Sequence, residues 1–79
     1  MNIEITVPPT ADGALQVTLV DWIKKVGDSV GKGEDLAEAT TEKITLYITA
    51  SADGILKEIR VKPGKKVSVG SVIGVIESA

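Results

Sequence analysis

Apolar and polar residues alternate from the start of this 79-residue chain. Ile3, Ile5 and Val7 fall on one face of residues 2–7, the period of a strand with one side buried. Residues 8–14, with Pro8, Pro9, Asp12 and Gly13, break that strand and read as a loop. Further strands are expected at residues 16–22, in a short piece before Gly33, and at 36–40, 44–49, 55–61, 67–69 and 72–76. Turns fall at 26–30, 50–54 and 63–64. The nearest approach to a helical period, residues 20–26, is stopped by Gly27. Taking the inward positions, the core is predicted to use Ile5, Val7, Val20, Val30, Leu36, Ile48, Ile59, Val67 and Ile73.

The pattern repeats at an offset of 37: Gly27 maps to Gly64, Val30 to Val67, Gly33 to Gly70 and Leu36 to Ile73. Two similar β-units packed face to face would each cover the apolar side the other cannot bury alone. The predicted fold is all-β, a flattened barrel or sandwich of two four-stranded antiparallel sheets with pseudo-twofold symmetry, spanning residues 1–79 as one domain. Both termini are then expected at the end away from the turn centred on Lys43. Gly27, Gly54, Gly64 and Gly70 read as turn residues needing positive φ. Trp22 reads as an aromatic packed on the core near a strand end.

Composition narrows the chemistry. With no cysteine, thiolate nucleophiles, disulfides and thiolate metal sites are excluded; with no histidine, so are the usual triads and His-ligated zinc. The acids are scattered singly, and no loop has calcium-binding spacing, so no metal site is expected. Net charge is −2, the basic residues are dispersed, and one Trp and one Tyr give no stacking platform, which disfavours nucleic acid. No apolar run suits a membrane span and no signal pattern opens the chain. Ten Val, nine Ile and seven Thr favour strands.

Thr40-Thr41-Glu42-Lys43-Ile44-Thr45-Leu46 stands out because its charged, hydroxyl-rich centre separates two alternating runs. A lysine on such a tip is poorly placed for catalysis, which usually needs burial to lower its pKa. It is an ordinary solvated lysine, or one that another enzyme grips and modifies.

The chain resembles a lipoyl domain, the swinging-arm domain of dihydrolipoamide acyltransferases in 2-oxo acid dehydrogenase complexes. The resemblance runs from about Ile3 to Glu77. It rests on Glu42-Lys43-Ile44 where the family has Asp-Lys-Ala, on Gly27 and Gly54 at the family's distances from the lysine, and on the flanking runs from Trp22 to Glu38, Ala50 to Leu56 and Val67 to Ile73. It implies lipoic acid in amide linkage on Lys43, with Glu42 and Ile44 recognised by a lipoate ligase or lipoyltransferase. It also implies a carrier with no catalytic residue of its own. Its partners would be a thiamine-dependent decarboxylase, an acyltransferase catalytic domain and a dihydrolipoamide dehydrogenase. Thr10, Ala11, Asp12, Gly13 and Ala14 are expected beside Lys43 as a contact for the decarboxylase. Glu42-Lys43-Ile44 resembles acyltransferases of acetoin-cleaving complexes, whereas Val17 matches the branched-chain pattern, so the substrate stays open. A monomeric domain cut from a larger acyltransferase, cytoplasmic or in the mitochondrial matrix, is expected. A biotin carrier and an unmodified structural module of the same fold are the alternatives; the first normally flanks its lysine with Met on both sides.

Overall fold

The register of β2 (Gln16–Trp22) shows how the chain divides its residues between inside and outside. Val17 and Leu19 point inward and are essentially inaccessible, while Thr18 and Val20 point outward. The computed structural model describes residues 1–78; Ala79, part of the span read as one domain, lies outside the described residues. The other strands are β1 (Asn2–Thr6), β3 (Ser29–Val30), β4 (Asp35–Thr40), β5 (Thr45–Thr49), β6 (Gly54–Ile59), β7 (Lys66–Ser68) and β8 (Val72–Glu77). They form two four-stranded antiparallel sheets ordered β1-β8-β6-β3 and β5-β4-β2-β7, with no helix among the described residues. The all-β sandwich expected from the alternation is the fold, and strand ends differ from expectation by at most two residues; the turns read at 26–30 and 50–54 are shorter, because Ser29–Val30 form β3 and Gly54 opens β6, the two pairing with each other.

The repeat extends into the backbone. Shifting by 37 carries β2, β3 and β4 onto β6, β7 and β8, and the order of one sheet onto that of the other. Gly27 and Gly64 have φ of 96° and 91°, Gly33 and Gly70 of 85° and 89°. Irregularities recur in step. Val20 is skipped where β2 pairs with β4, and Lys57 where β6 pairs with β8. Leu36 is skipped against β5, and Ile73 against β1. Loop bonds match too: Gly33 N donates to Ala50 O and Ala50 N to Glu34 O, as Gly70 N donates to Val7 O and Val7 N to Ser71 O.

Between the sheets lie Ile5, Val7, Val30, Leu36, Ile48 and Ile73, as expected, together with Val17, Leu19, Ala37, Ala39, Leu56 and Ile76. Each fully buried aliphatic side chain contributes about 1.5–3 kcal/mol over leaving it in water. Val20 is a correction: it is 42% exposed, because it sits on the outer face and is the extra residue of the β2 bulge. Ile59 and Val67 are half-buried, packed against the core edge. Gly54 is a second correction. It has no positive φ; a Cβ there would lie 2.8 Å from Ile76 Cγ2 and 2.9 Å from the Glu77 carbonyl carbon, so it is glycine for closeness to β8. Trp22 packs partly on the core and donates from Nε1 to Val61 O at 2.8 Å.

The termini sit where the repeat predicts. Ser78 N donates to Met1 O at 2.9 Å, which closes β8 onto β1. Residues 50–53 join the far end of β5 to Gly54, beside Glu77, so the five-residue length of β5, roughly 16 Å, separates that end from Lys43.

Candidate functional site

Lys43 lies in the four-residue loop, residues 41–44, that joins β4 to β5, and its side chain is exposed. Thr40 pairs with Thr45, and Thr41 N donates to Ile44 O at 2.8 Å, leaving Glu42 and Lys43 as the tip. Four-residue hairpin loops are most often built around a type I turn, which needs no positive φ. Here neither tip residue has positive φ. The chain closes the tip with a side chain. Thr41 Oγ1 accepts from the amides of Lys43 at 3.2 Å and Ile44 at 3.1 Å, as hydroxyl turns do. Thr40 Oγ1 donates toward the carbonyls of Thr41 and Ile44, both at 3.0 Å.

The β1–β2 loop folds against this tip. Thr10, Ala11, Asp12 and Gly13 make a turn in which Gly13 N donates to Thr10 O at 3.2 Å, with Gly13 at φ 72°. Ala14 N donates to Thr10 Oγ1 at 2.8 Å and to Asp12 Oδ1 at 3.3 Å. Asp12 Oδ2 accepts from Thr41 Oγ1 at 2.8 Å. Hydrogen bonds with the Thr10 and Thr41 hydroxyls hold the Asp12 carboxyl below its usual value near 3.8. An ionised carboxylate is acceptor-only.

A groove of about 480 Å³ runs beside the tip, lined by Asp12, Ala14, Gln16, Thr18, Glu42, Lys43 and Lys66 among others. The registers Thr45↔Thr40, Thr40↔Thr18 and Thr18↔Lys66 lay a row of hydroxyls ending in a lysine across its sheet. The structure thus brings Asp12, Ala14, Glu42 and Lys43 together. Thr10 supports the loop from within, Ala11 and Gly13 face solvent, and Ile44 is half-buried just before β5, outside the groove. Sequence reasoning missed Thr41, Gln16, Thr18 and Lys66. The signal for Thr41 was present: a hydroxyl immediately before a charged tip that lacks Gly and Asn. The other three are visible only once three strands are in register. Among the described residues no group of three acidic side chains could hold a metal ion, and no helix is long and apolar enough to cross a membrane.

Comparison with known proteins places the chain among attachment domains. The sequence model of the family described as "biotin-requiring enzyme", which covers biotin and lipoyl attachment, matches residues 3–76. A dihydrolipoyllysine-residue succinyltransferase component of the 2-oxoglutarate dehydrogenase complex from Bacillus subtilis is 40% identical over 73 residues, 92% of this chain and 18% of the relative. The protein of that name from Staphylococcus saprophyticus is 37% identical over 73 residues, 92% of this chain and 17% of the relative. The chain therefore spans less than a fifth of these relatives. Among solved structures, the lipoyl domain of the 2-oxoglutarate dehydrogenase complex from Azotobacter vinelandii superposes with a TM-score of 0.74 at 29% identity, covering 96% of each chain. Urea carboxylase from Kluyveromyces lactis superposes at 0.83 over 98% of this chain and 6% of its own, at 19% identity, a likeness of fold alone.

Proposed function

We propose that this chain, which belongs to the biotin- and lipoyl-attachment family, carries lipoate on Lys43 and serves as the swinging arm of a 2-oxo acid dehydrogenase complex. The observation that carries this is Lys43 itself: an exposed amine on a two-residue tip whose backbone is pinned by Thr41, in a fold shared at 29% identity with a lipoyl domain. Amide formation joins Lys43 Nζ to the lipoyl carboxyl carbon; the ammonium gives up two protons and the group activating the carboxyl departs. When attached, lipoate supplies a disulfide that takes up an acyl group with two electrons at a decarboxylase, passes the acyl group to coenzyme A, and is restored by a flavoprotein. The chain's own part is to hold the arm's root rigid and expose it to each partner, raising the arm's local concentration at each site. None of this calls on a His or Cys of the chain.

Glu42 and Ile44 flank the lysine without the Met residues of a biotin carrier, which favours lipoate over biotin. The named relatives favour a complex that oxidises 2-oxoglutarate, so the acyl cargo would be succinyl. The partners would be a lipoate ligase or lipoyltransferase, a thiamine-dependent decarboxylase, an acyltransferase catalytic domain and dihydrolipoamide dehydrogenase. A relative from fission yeast bears the label mitochondrial and others are bacterial, consistent with the matrix or the bacterial cytoplasm. The test is incubation with lipoate, ATP and a lipoate ligase, read by intact mass and peptide mapping. One lipoyl mass on Lys43 is expected, none after Lys43→Arg, and none with a biotin ligase and biotin. The seven other lysines are internal controls; modification at one of them would overturn the assignment.

A further inference from the structure

The Thr41 hydroxyl has one proton and two lone pairs, and all three are committed. Its proton goes to Asp12 Oδ2 at 2.8 Å, and its oxygen accepts the amides of Lys43 and Ile44 at 3.2 and 3.1 Å. The repeat supplies an internal control. Position 41 maps to Ser78 by the offset of 37, and Ile44 stands where Met1 stands in the other unit. Ser78 N donates to Met1 O at 2.9 Å, as Thr41 N does to Ile44 O at 2.8 Å. The return bonds differ. Met1 N donates to the Ser78 carbonyl at 3.1 Å, whereas Ile44 N donates to the Thr41 hydroxyl. Ser78 Oγ donates to Met1 O at 3.3 Å; the matching Thr41 Oγ1 to Ile44 O distance is 3.5 Å, and its shorter bond runs to Asp12. So the amide-binding hydroxyl is particular to the end where β4 turns into β5, and a carboxylate from another loop bonds to it.

We propose that Thr41 and Asp12 are positioning residues for modification of Lys43: the carboxylate aims the Thr41 hydroxyl, and the hydroxyl fixes the Lys43 backbone, so that the flexible side chain leaves the tip from a set position and direction when Nζ reaches the activated lipoyl carboxyl. The inference rests on Lys43 as the attachment site. Neither residue touches the reacting atoms. The β1–β2 loop then has a second duty, since it helps to set the lysine as well as lying beside it. Angular error at a reacting group is costly, because a misplacement of about 1 Å can cut a rate on the order of a hundredfold.

The experiment measures steady-state transfer from lipoate and ATP by a lipoate ligase to the wild-type chain and to Thr41→Val, Thr41→Ser and Asp12→Ala. Hydrogen exchange at the amides of Lys43, Ile44 and Ser78 is followed alongside, and Trp22 fluorescence reports folding. Thr41→Val keeps the shape and removes the hydroxyl. It is expected to lower kcat about tenfold with KM within about twofold, as a mis-aimed nucleophile does. The Lys43 and Ile44 amides should exchange faster and the Ser78 amide unchanged. Thr41→Ser should recover most of the rate, and Asp12→Ala should give a smaller loss in the same direction as Thr41→Val. Wild-type kcat for Thr41→Val, a loss confined to KM, or Thr41→Ser as slow as Thr41→Val would each overturn the positioning role and leave the attachment site standing. A wild-type chain that takes no lipoate at Lys43 would bring down the attachment reading and this inference with it. Should Thr41→Val unfold, Asp12→Ala, whose side chain lies outside the core, decides: wild-type kcat overturns the proposal and a lowered kcat upholds it.

Discussion

The two ends of the sandwich are built from one backbone plan and finished differently. At one end β8 meets β1 through reciprocal backbone bonds between Ser78 and Met1. The flanking Gly54 is pressed against Glu77, and the shallow groove beside it is lined by Val26, Ile55 and Leu56. At the other end β4 turns into β5 through Glu42 and Lys43, a hydroxyl holds the turn, and the lining is polar. The loops differ as well: residues 7–15 connect β1 to β2, whereas residues 50–53 connect β5 to β6. The longer loop delivers Asp12 to the hairpin; the shorter delivers Asp53 Oδ1 to Lys32 N at 2.7 Å, within its own end. The repeat thus accounts for the scaffold, and the candidate site lies where the two units differ.

That contrast makes the shared scaffold the most sensitive element. Leu36 and Ile73 are equivalent bulge residues, both wholly buried. Leu36→Ala and Ile73→Ala should each cost about 2–4 kcal/mol in urea unfolding. Similar costs would show the two units to be energetically equivalent as well as superposable. A cost below about 0.5 kcal/mol at either would break the equivalence.

Next in size is Gly54→Ala. Its counterpart by the offset, Val17, is buried and accommodates a full side chain, while a methyl at Gly54 meets backbone of β8 and Ile76 Cγ2. Overpacking of this kind should cost about 1–3 kcal/mol, measured by thermal or urea unfolding. Lipoylation of the folded fraction should continue at the normal rate, because the strain lies at the far end. A fall in lipoylation rate without loss of stability would show the ends to be coupled.

Much of the scaffold was legible because alternation and the Gly and Pro turns act locally, and the offset of 37 can be read directly along the chain. The strand positions, the two four-stranded sheets and the place of Lys43 follow from them, whereas the exchange of β3 and β7 between the sheets does not. The misses have specific causes. Val20 was assigned inward because residues 17–22 carry apolar side chains on both phases, Val17 and Leu19 on one and Val20 and Trp22 on the other, and the pattern does not say which is buried. Gly54 looked like a turn glycine because closeness to β8 depends on a strand 22 residues onward. Ala37 and Ala39 are wholly buried, and small residues leave little trace in a hydropathy pattern. Within the candidate site, the tip was visible and the clamp was not. The Asp12–Thr41 bond spans 29 residues, and no local pattern encodes it.

A finer test separates the loop's two proposed duties. Ala11 and Gly13 are exposed and bond to neither the tip nor the groove through side chains, whereas Asp12 clamps Thr41. Replacing Ala11 with a bulky residue, with Thr10 and Asp12 kept, should leave lipoylation unchanged. If a decarboxylase grips this loop, reductive acylation should slow about tenfold, the equivalent of about 1.4 kcal/mol of lost contact. Equal slowing of both reactions would assign the loop to hairpin support alone. No change in either would move the recognition surface elsewhere, with Glu42 and Ile44 the next positions to vary.

The smallest expected effect is on acidity, and it should appear at one end only. Asp12 is held below its usual value near 3.8, chiefly by its bonds with Thr10 and then Thr41. A group with a depressed folded pKa adds stability above its unfolded pKa and loses it as pH falls through the folded one. The clamp should therefore be fully formed above about pH 4–5 and loosen only below the ordinary carboxylate range. Once Asp12 is protonated it no longer offers a charge to the Thr41 hydroxyl, which is free to turn from the Lys43 and Ile44 amides. The loss should be slight, because the carboxylate is open to solvent. Glu42, Lys43 and Lys66 share the groove, so Glu42→Gln separates a neighbouring titration from that of Asp12. Amide shifts followed from pH 6 to pH 2 should report it. Thr41, Lys43 and Ile44 should move together with the Asp12 side chain, and Asp12→Asn should abolish that step. The Ser78 and Met1 juncture, whose hydroxyl bonds to a carbonyl, should not follow it. A common step at both ends would trace the change to the whole sandwich, and the hairpin would lose its claim to a separate polar anchor.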